Sequence, residues 1–316
     1  MEMMYLMLAS FLISFIFIFI LIRYQVKKRI GQTEREEGLV THKKKNNTPI
    51  FGGVGFVLTY FIIYTFLLCI NKIDLLLYLL IIFPMMSYSL LGFIDDLLIL
   101  KRKKNEGIKP NLKFLFQIII AVIFFVIYLL FNFDTTIDLL LFEVNLKFFY
   151  GIFILLAFSG FTNATNLTDG IDGLLAGTFS IILIGIYMII DSVIMRQGIS
   201  IFFAGFCAFL YFNLPKAKIF MGDTGSLAIG SIFVSLMIIL KMEIYLFLFG
   251  LVYVVETLSV ILQVSYFKMT KGKRIFKMSP LHHHFEIVLK SEVKTLLLFY
   301  LFTLLTVMLT VIFYMI

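Results

Sequence analysis

Charge is scarce in this chain. Asp, Glu, Lys and Arg make up 15% of its 316 residues, while 61% are apolar. A soluble domain carries about 25% charged residues, so the polar surface needed to stay in water is missing and a soluble globular fold is excluded. Alternation of apolar and polar residues is also missing, which excludes the other way of crossing a bilayer, a closed barrel of strands. Cysteine is rare: Cys69 and Cys207 are far apart, lie inside apolar runs and have no metal-ligand spacing. They read as small packing residues and are silent about redox compartment. No A-x-A-like cleavage site follows the first apolar run. Its positive charges, Arg23, Lys27, Lys28 and Arg29, follow it instead of preceding it. That run therefore reads as an anchor with its N-terminus outside, not as a signal peptide. No internal repeat, linker or low-complexity tract stands out, and the lack of an inverted repeat weighs against a secondary transporter.

What is present is a series of long apolar runs. A spanning helix needs roughly 20 apolar residues. Ten runs qualify, near 5–22, 50–70, 75–98, 112–131, 148–162, 173–190, 200–214, 223–240, 244–266 and 295–315, of which 200–214 is short and 148–162 runs into polar sequence. The loops at 23–48, 99–113, 215–222 and 267–294 hold 23 of the 27 lysines and arginines; Lys72, Lys147, Arg196 and Lys241 occupy the intervening loops. Positive charge marks the cytoplasmic side, and basic patches there also face lipid headgroups. The expectation is an all-α, polytopic membrane protein of about ten transmembrane helices with both termini outside. Residues 1–316 form one transmembrane catalytic domain, with cytoplasmic loops near 23–49, 99–113, 163–173, 213–226 and 267–294.

Polar residues in or bordering spans are costly and functional by default. Five groups stand out: Asn46-Asn47-Thr48-Pro49 with Gly52-Gly53; Asp95-Asp96; Asn163 to Gly173; Asn213 to Ser226; and Ser279-Pro280-Leu281-His282-His283-His284. The topology puts all five on the cytoplasmic side although it was built from Lys and Arg alone. One site assembled from several loops is the economical reading.

Each group suggests a chemistry. Adjacent residues on a helix lie about 100° apart, so Asp95 and Asp96 can only partly share a target. One could take a hard cation or a proton while the other orients a partner, and crowding raises one pKa, which suits a general base. The alternative is a charged helix end at the interface. On a helix Asn166, Asp169 and Asp172 would drift round one face, while Gly170, Gly173 and Gly177 admit close approach of a ligand. The segment lacks the D-x-D-x-D-G run of a calcium loop. Asp223, with Thr224 and Ser226, looks like a helix N-cap. A helix N-terminus is also an anion site, and an Asp beside it can hold a Mg²⁺ that bridges phosphates. Phe220 offers a ring on which a base could stack. Three adjacent histidines cannot all face one zinc on a helix, so phosphate contact or proton transfer fits His282, His283 and His284 better. His42 stands alone in a basic loop and reads as solvated. Carboxylates for Mg²⁺, basic residues for phosphates, a stacking ring and a membrane together suit phosphoryl transfer to a lipid.

The motifs G-F-I-D-D at 92–96, N-A-T-N-L-T-D-G-I-D-G-L at 163–174, F-M-G-D-T-G-S at 220–226 and S-P-L-H-H-H-F-E at 279–286 occur in this order. They closely resemble, over nearly the whole chain, the phospho-N-acetylmuramoyl-pentapeptide transferases of the polyprenyl-phosphate sugar-1-phosphate transferase superfamily (glycosyltransferase 4). The triple His followed by Phe-Glu looks like the peptidoglycan branch. The resemblance implies a Mg²⁺-dependent enzyme of the bacterial inner membrane with its active site facing the cytoplasm. Undecaprenyl phosphate and UDP-N-acetylmuramoyl-pentapeptide would be its substrates, and lipid I and UMP its products. Membrane lipids would surround it, nucleic acid is not an expected partner, and a homodimer is compatible. By motif position, Asp223 would hold the Mg²⁺ and Asp95 would deprotonate the lipid phosphate with Asp96 beside it. Asn163, Asn166, Asp169 and Asp172 would line the nucleotide and diphosphate site, and Phe220 would stack on uracil. Lys45, Asn213, Gln263, His282, His284 and especially His283 would complete the pocket. Direct attack and an Asp-linked intermediate both fit these residues.

The chain departs from the family in three places. Its first loop reads Lys45-Asn46-Asn47-Thr48-Pro49-Ile50-Phe51-Gly52-Gly53, where the usual pattern is K-x-G-T-P-T-M-G-G. A lysine usual three residues after the Asp pair is Ile99 here, for which Lys101, Arg102, Lys103 or Lys113 could compensate. The polar stretch after H-H-H-F-E is shortened to Ile-Val-Leu-Lys-Ser-Glu. Two rival readings remain: a sister enzyme using UDP-N-acetylglucosamine, which the His segment argues against, and a cation or proton transporter. The transporter would need carboxylates near the bilayer midplane rather than at helix ends. A purely structural scaffold leaves the carboxylates unexplained.

Overall fold

Every one of the ten apolar runs is helical in the structure, a computed structural model that describes residues 2–31, 47–102, 107–131, 133–139 and 142–316. In chain order the helices are α1 (Glu2–Lys28), α2 (Gly52–Cys69), α3 (Leu75–Arg102), α4 (Pro110–Leu130), α5 (Tyr150–Thr168), α6 (Leu174–Ile189), α7 (Val193–Asn213), α8 (Gly222–Ile239), α9 (Glu243–Phe249), α10 (Leu251–Met269), α11 (Leu281–Leu289) and α12 (Glu292–Met315). Among the described residues, 9 helices are long and apolar enough to cross a membrane. The remaining run, at 173–190, is α6 with 16 residues, which span about 24 Å at 1.5 Å per residue. It is buried along most of its length inside the bundle.

The boundaries differ from the sequence expectation in four places. The run at 148–162 continues through the polar residues to Thr168, because inside the bundle their hydroxyls return to the helix: Thr162 and Thr165 donate to the carbonyls of Phe158 and Phe161. The run at 200–214 starts earlier, at Val193, where Ser192 Oγ accepts from Met195 N at 3.4 Å as an N-cap. The run at 244–266 is two helices divided at Gly250, the residue most easily bent out of a helix. A two-stranded antiparallel hairpin, β1 (Thr136–Asp138) and β2 (Glu143–Asn145), fills the loop between α4 and α5, where scattered acidic residues showed no pattern.

α8 is the axis of the molecule. Within its spanning window 83% of residues are buried, against 17% in α1. α2, α3, α5 and α9 surround it. In lipid, helices gain little hydrophobic energy from each other, so close packing through small residues and interhelical hydrogen bonds must hold them. Gly92 of α3 lies against the backbone of Asp223, and Gly53 of α2 against that of Gly225; a Cβ at either would come within 2.3 Å of backbone. Both approaches meet at the first turn of α8. On the rim, Ser10 and Ser14 of α1 donate to the carbonyls of Ile201 and Gly205 in α7 at 2.7 and 2.8 Å. Large apolar side chains cover the outside of α1 and α12, as a lipid-facing surface requires.

Helices alternate in direction, so the ends of α1, α3, α5, α7 and α10 and the starts of α2, α4, α6, α8 and α12 share one face. Both termini lie at the other. Glu2 pairs with Lys72 of the α2–α3 loop at 3.6 Å, and Tyr314 packs on Tyr245 near the start of α9.

Candidate active site

The site is built round the first turn of α8. The sequence suggested Asp223 as an N-cap, but the helix begins at Gly222, and Asp223 sits inside the first turn. The cap comes from another helix. Asp96 at the end of α3 accepts from Asp223 N and Thr224 N, both at 3.0 Å, and from Thr224 Oγ1 at 2.7 Å. A carboxylate here satisfies orphan N–H groups and faces the positive end of the helix dipole. Gly222, at φ 73°, makes the turn that brings the backbone onto Asp96.

Asp95 points elsewhere, as the angle between neighbouring helix positions requires. Its Oδ1 accepts from Ile108 N at 2.6 Å, and its Oδ2 lies 3.3 Å from Lys113 Nζ. The same ammonium is 2.5 Å from Asp223 Oδ2. The two aspartates thus divide the tasks: Asp96 orients α8, and Asp95 faces a cation. Of the candidates for replacing the missing lysine at position 99, Lys103 lies outside the described residues, and the structure brings Lys113, in the first turn of α4, into the carboxylate cluster. Asn166, near the end of α5, completes the ring with Nδ2 donating to Asp223 Oδ1 at 2.7 Å and to Ser226 Oγ at 3.1 Å.

Asn166, Asp169 and Asp172 do not share a helical face. α5 stops at Thr168, and the chain turns through Asp169 to Gly173, whose φ is 77°. Asp169 remains close to the cluster. Burial, and then the charges of Asp223, Asp96 and Asp172, push its carboxyl up to about 8. Asp172 is buried and accepts from Ala217 N at 2.9 Å. Buried Asn213 accepts from Gly173 N and donates to Ile219 O. Glu292 accepts from Asp172 N, and Tyr300 donates to Gly173 O, both from α12. Asp172 and Asn213 therefore brace the turn, and Asp169 and Asn166 look into the site. Asn163, one turn earlier, is exposed and donates to Gln117 Oε1 at 3.3 Å.

The remaining candidates form the wall. Phe220 is half-buried, and its backbone pairs with Pro49 O and Gly52 N, so the first loop is stitched to the start of α8. Gln25 of α1 holds Ile50 through both its N–H and its carbonyl. Lys45, Asn46 and His42 lie outside the described residues. Gln263 accepts from Ile275 N and Phe276 N and donates to Phe276 O, which shapes the loop leading to the histidines. The three histidines diverge on α11, as expected for adjacent helix positions. His282 is buried against Glu256, His283 lies 3.4 Å from Glu286, and His284 accepts from Lys277 N. His282 packs on the turn: its Nε2 lies against Gly170.

Among the described residues no group of three or more His, Cys, Asp and Glu could enclose a metal by itself. The donor set nevertheless fits Mg²⁺, which binds through one or two carboxylates and keeps water and phosphate oxygens for the rest. Lys113 Nζ shows that a positive charge is accommodated between Asp95 and Asp223. Two carboxylates share that one ammonium, with Asp96 and Asp169 close by, and the surplus of negative charge favours a further cation.

The family model described as Glycosyl transferase family 4 matches residues 77–241, the stretch from α3 to the end of α8 that holds all four aspartates. Over 93% of its length the chain is 45% identical to the phospho-N-acetylmuramoyl-pentapeptide-transferase of Staphylococcus aureus strain bovine RF122 / ET3-1, of which it covers 93%. The same identity and coverage hold for the enzymes of that name from strains JH9 and Newman. The chain belongs to this transferase family. The part shared with these transferases includes both the carboxylate cluster and the histidine helix. Two residues of the site escaped sequence reasoning. Gln117, buried beside Asn163, has only a helical position to announce it. Glu256 had a signal that went unread: it is the one charged residue in the apolar run at 244–266.

Proposed function

We propose that the chain transfers phospho-N-acetylmuramoyl-pentapeptide from its UDP carrier to undecaprenyl phosphate, giving lipid I and UMP, the first membrane step of peptidoglycan synthesis. The reading carries a Mg²⁺ requirement, a multi-pass position in the bacterial inner membrane, an active site on the cytoplasmic side and both termini outside. The distribution of 23 of 27 basic residues supports this orientation. The observation that carries the chemistry is the ammonium of Lys113 shared by Asp95 and Asp223, at the end of a bundle where a lipid phosphate can arrive from the bilayer.

Phosphoryl transfer asks the protein mainly for positioning and charge neutralisation. Bound Mg²⁺ would supply charge neutralisation on the diphosphate, with Asp223 as its protein ligand. Lys113 offers N–H donors to the same phosphate oxygens. Asp95 keeps one oxygen fixed by Ile108 N and has the other free to take the proton of the lipid phosphate once Lys113 turns to the substrate. Asp96 acts through the backbone by holding α8 so that Asp223 faces the cluster. Asn166 fixes the second oxygen of Asp223 and thereby its rotamer. Phe220 would stack on the base.

The test is UMP release by purified protein in detergent with undecaprenyl phosphate and Mg²⁺. Separate reactions receive UDP-N-acetylmuramoyl-pentapeptide or UDP-N-acetylglucosamine, and Asp223→Ala is run alongside. UMP from the pentapeptide donor alone, lost in the variant, is expected. UMP from the N-acetylglucosamine donor alone moves the protein to a sister reaction and leaves the chemistry intact. No UMP from either donor, with folded protein, overturns the reading.

A further inference from the structure

Glu256 is a carboxylate in the middle of an apolar helix, fully buried at 0% exposure, and its partner His282 is equally buried. Burying a carboxylate costs several kcal/mol unless hydrogen bonds compensate, so the pair calls for an explanation that the transfer chemistry above does not use. Both carboxylate oxygens are committed to one residue. Oε1 accepts from His282 N at 3.1 Å, and Oε2 faces His282 Nδ1 at 3.0 Å. An ionised carboxylate only accepts hydrogen bonds, which pairs Glu256 with a proton on Nδ1. The other ring nitrogen is then the variable one. Nε2 is buried and has no hydrogen-bond partner. It lies so close to Gly170 that a Cβ there would meet it at 2.2 Å. Gly170 follows Asp169, which faces the carboxylate cluster.

We propose that Glu256 is a positioning residue for the transfer reaction: it locks His282 in the Nδ1–H form and holds Nε2 against the Asp169–Gly170 turn. The role rests on the transferase reading, but the lock itself does not. Fixing the ring through a carboxylate on the far nitrogen sets which atom meets the working side of a site. The bidentate grip also explains how a ring can stand this close to glycine backbone: α11 is tied at its first turn to α10, so the imidazole is held in place with no freedom to swing away.

The chain has only 4 histidines, so ¹⁵N-histidine labelling of the full protein in detergent reads the ring directly, with His282→Asn assigning the signal. The expected result is a protonated Nδ1 at His282 without any substrate. Glu256→Gln keeps the shape but presents an amide N–H to Nδ1. That moves the proton to Nε2, and kcat is expected to fall about 10- to 100-fold with KM changed far less. In a His282→Asn background, Glu256→Gln is expected to cost nothing further. An unprotonated Nδ1 in the wild type overturns the lock whatever the activity. A switched tautomer with unchanged kcat, or losses that multiply in the double variant, overturns the positioning role. Absence of UMP from the wild type is a separate failure, that of the transferase reading, because the tautomer is read without substrate.

Discussion

The bundle buries a carboxylate with a lysine at each of its two faces, and the two arrangements differ in charge balance. At the face with the termini, Glu243 is 1% exposed; its Oε1 accepts from Tyr150 at 2.5 Å and from Lys241 at 2.8 Å. Lys241 spends its other N–H groups on the carbonyls of Asp134 and Thr136 at 3.0 and 2.6 Å. One negative charge meets one positive charge, and the lysine's donors also tie down the β1–β2 hairpin. At the opposite face Asp95 and Asp223 share a single Lys113, with Asp96 and Asp169 close by. Balanced charge, with the lysine's donors all engaged, reads as a structural brace. Surplus charge of one sign reads as a place where something else binds.

The comparison can be broken first at Asp223. Its replacement by Ala is expected to lower UMP release on the order of 10³-fold while the thermal midpoint stays near that of the wild type; a large loss of midpoint would make Asp223 a brace after all. Lys113→Met comes next. Turnover is expected to fall on the order of 10²-fold. Without Mg²⁺ the fold should lose about 3 kcal/mol, because one partner of a mostly buried cluster is gone. Added Mg²⁺ should raise the variant's midpoint more than the wild type's, read by thermal unfolding with and without the ion. Equal shifts would mean that ammonium and metal do not share a locus.

Lys241→Met sharpens the contrast from the other face. Stability is expected to drop by about 1–3 kcal/mol while kcat, measured well below the midpoint, is unchanged. A fall in kcat would dissolve the distinction between the faces. The last test, Asp169→Asn, reads a pH dependence instead of a loss. In the folded protein the Asp169 carboxyl is raised from its ordinary 3.8 to about 8, so between these values the folded state holds a proton that the unfolded state has released. Wild-type stability in the absence of metal should therefore decline as pH rises from about 4 to 8, and the Asn variant should lack that component. Parallel stability–pH curves for the two proteins would show that Asp169 is not held protonated.

How much of this was legible beforehand varies by residue. The division between Asp95 and Asp96 followed from helix geometry alone, and the divergence of the three histidines from the same rule. Asp223 could be placed at a helix start but not inside it, because its cap, Asp96, arrives from α3, far away in sequence. Asp172, Asn213 and Gln263 read as polar groups aimed at a ligand. The structure engages them with backbone N–H and C=O groups of neighbouring loops, contacts that no local pattern announces.

Composition, apolar run length and the loop distribution of Lys and Arg by themselves determined an all-α bundle with its polar motifs on one face. These properties are local: a bilayer demands long apolar helices, and each run meets that demand independently of the others. Only the tertiary structure decided that Lys113 is the cation between Asp95 and Asp223, that Asp96 caps α8, and that Glu256 holds His282. Each of these joins helices distant in the chain. The partners are selected by where glycines such as Gly92 and Gly53 let backbones meet, and that is a property of packing.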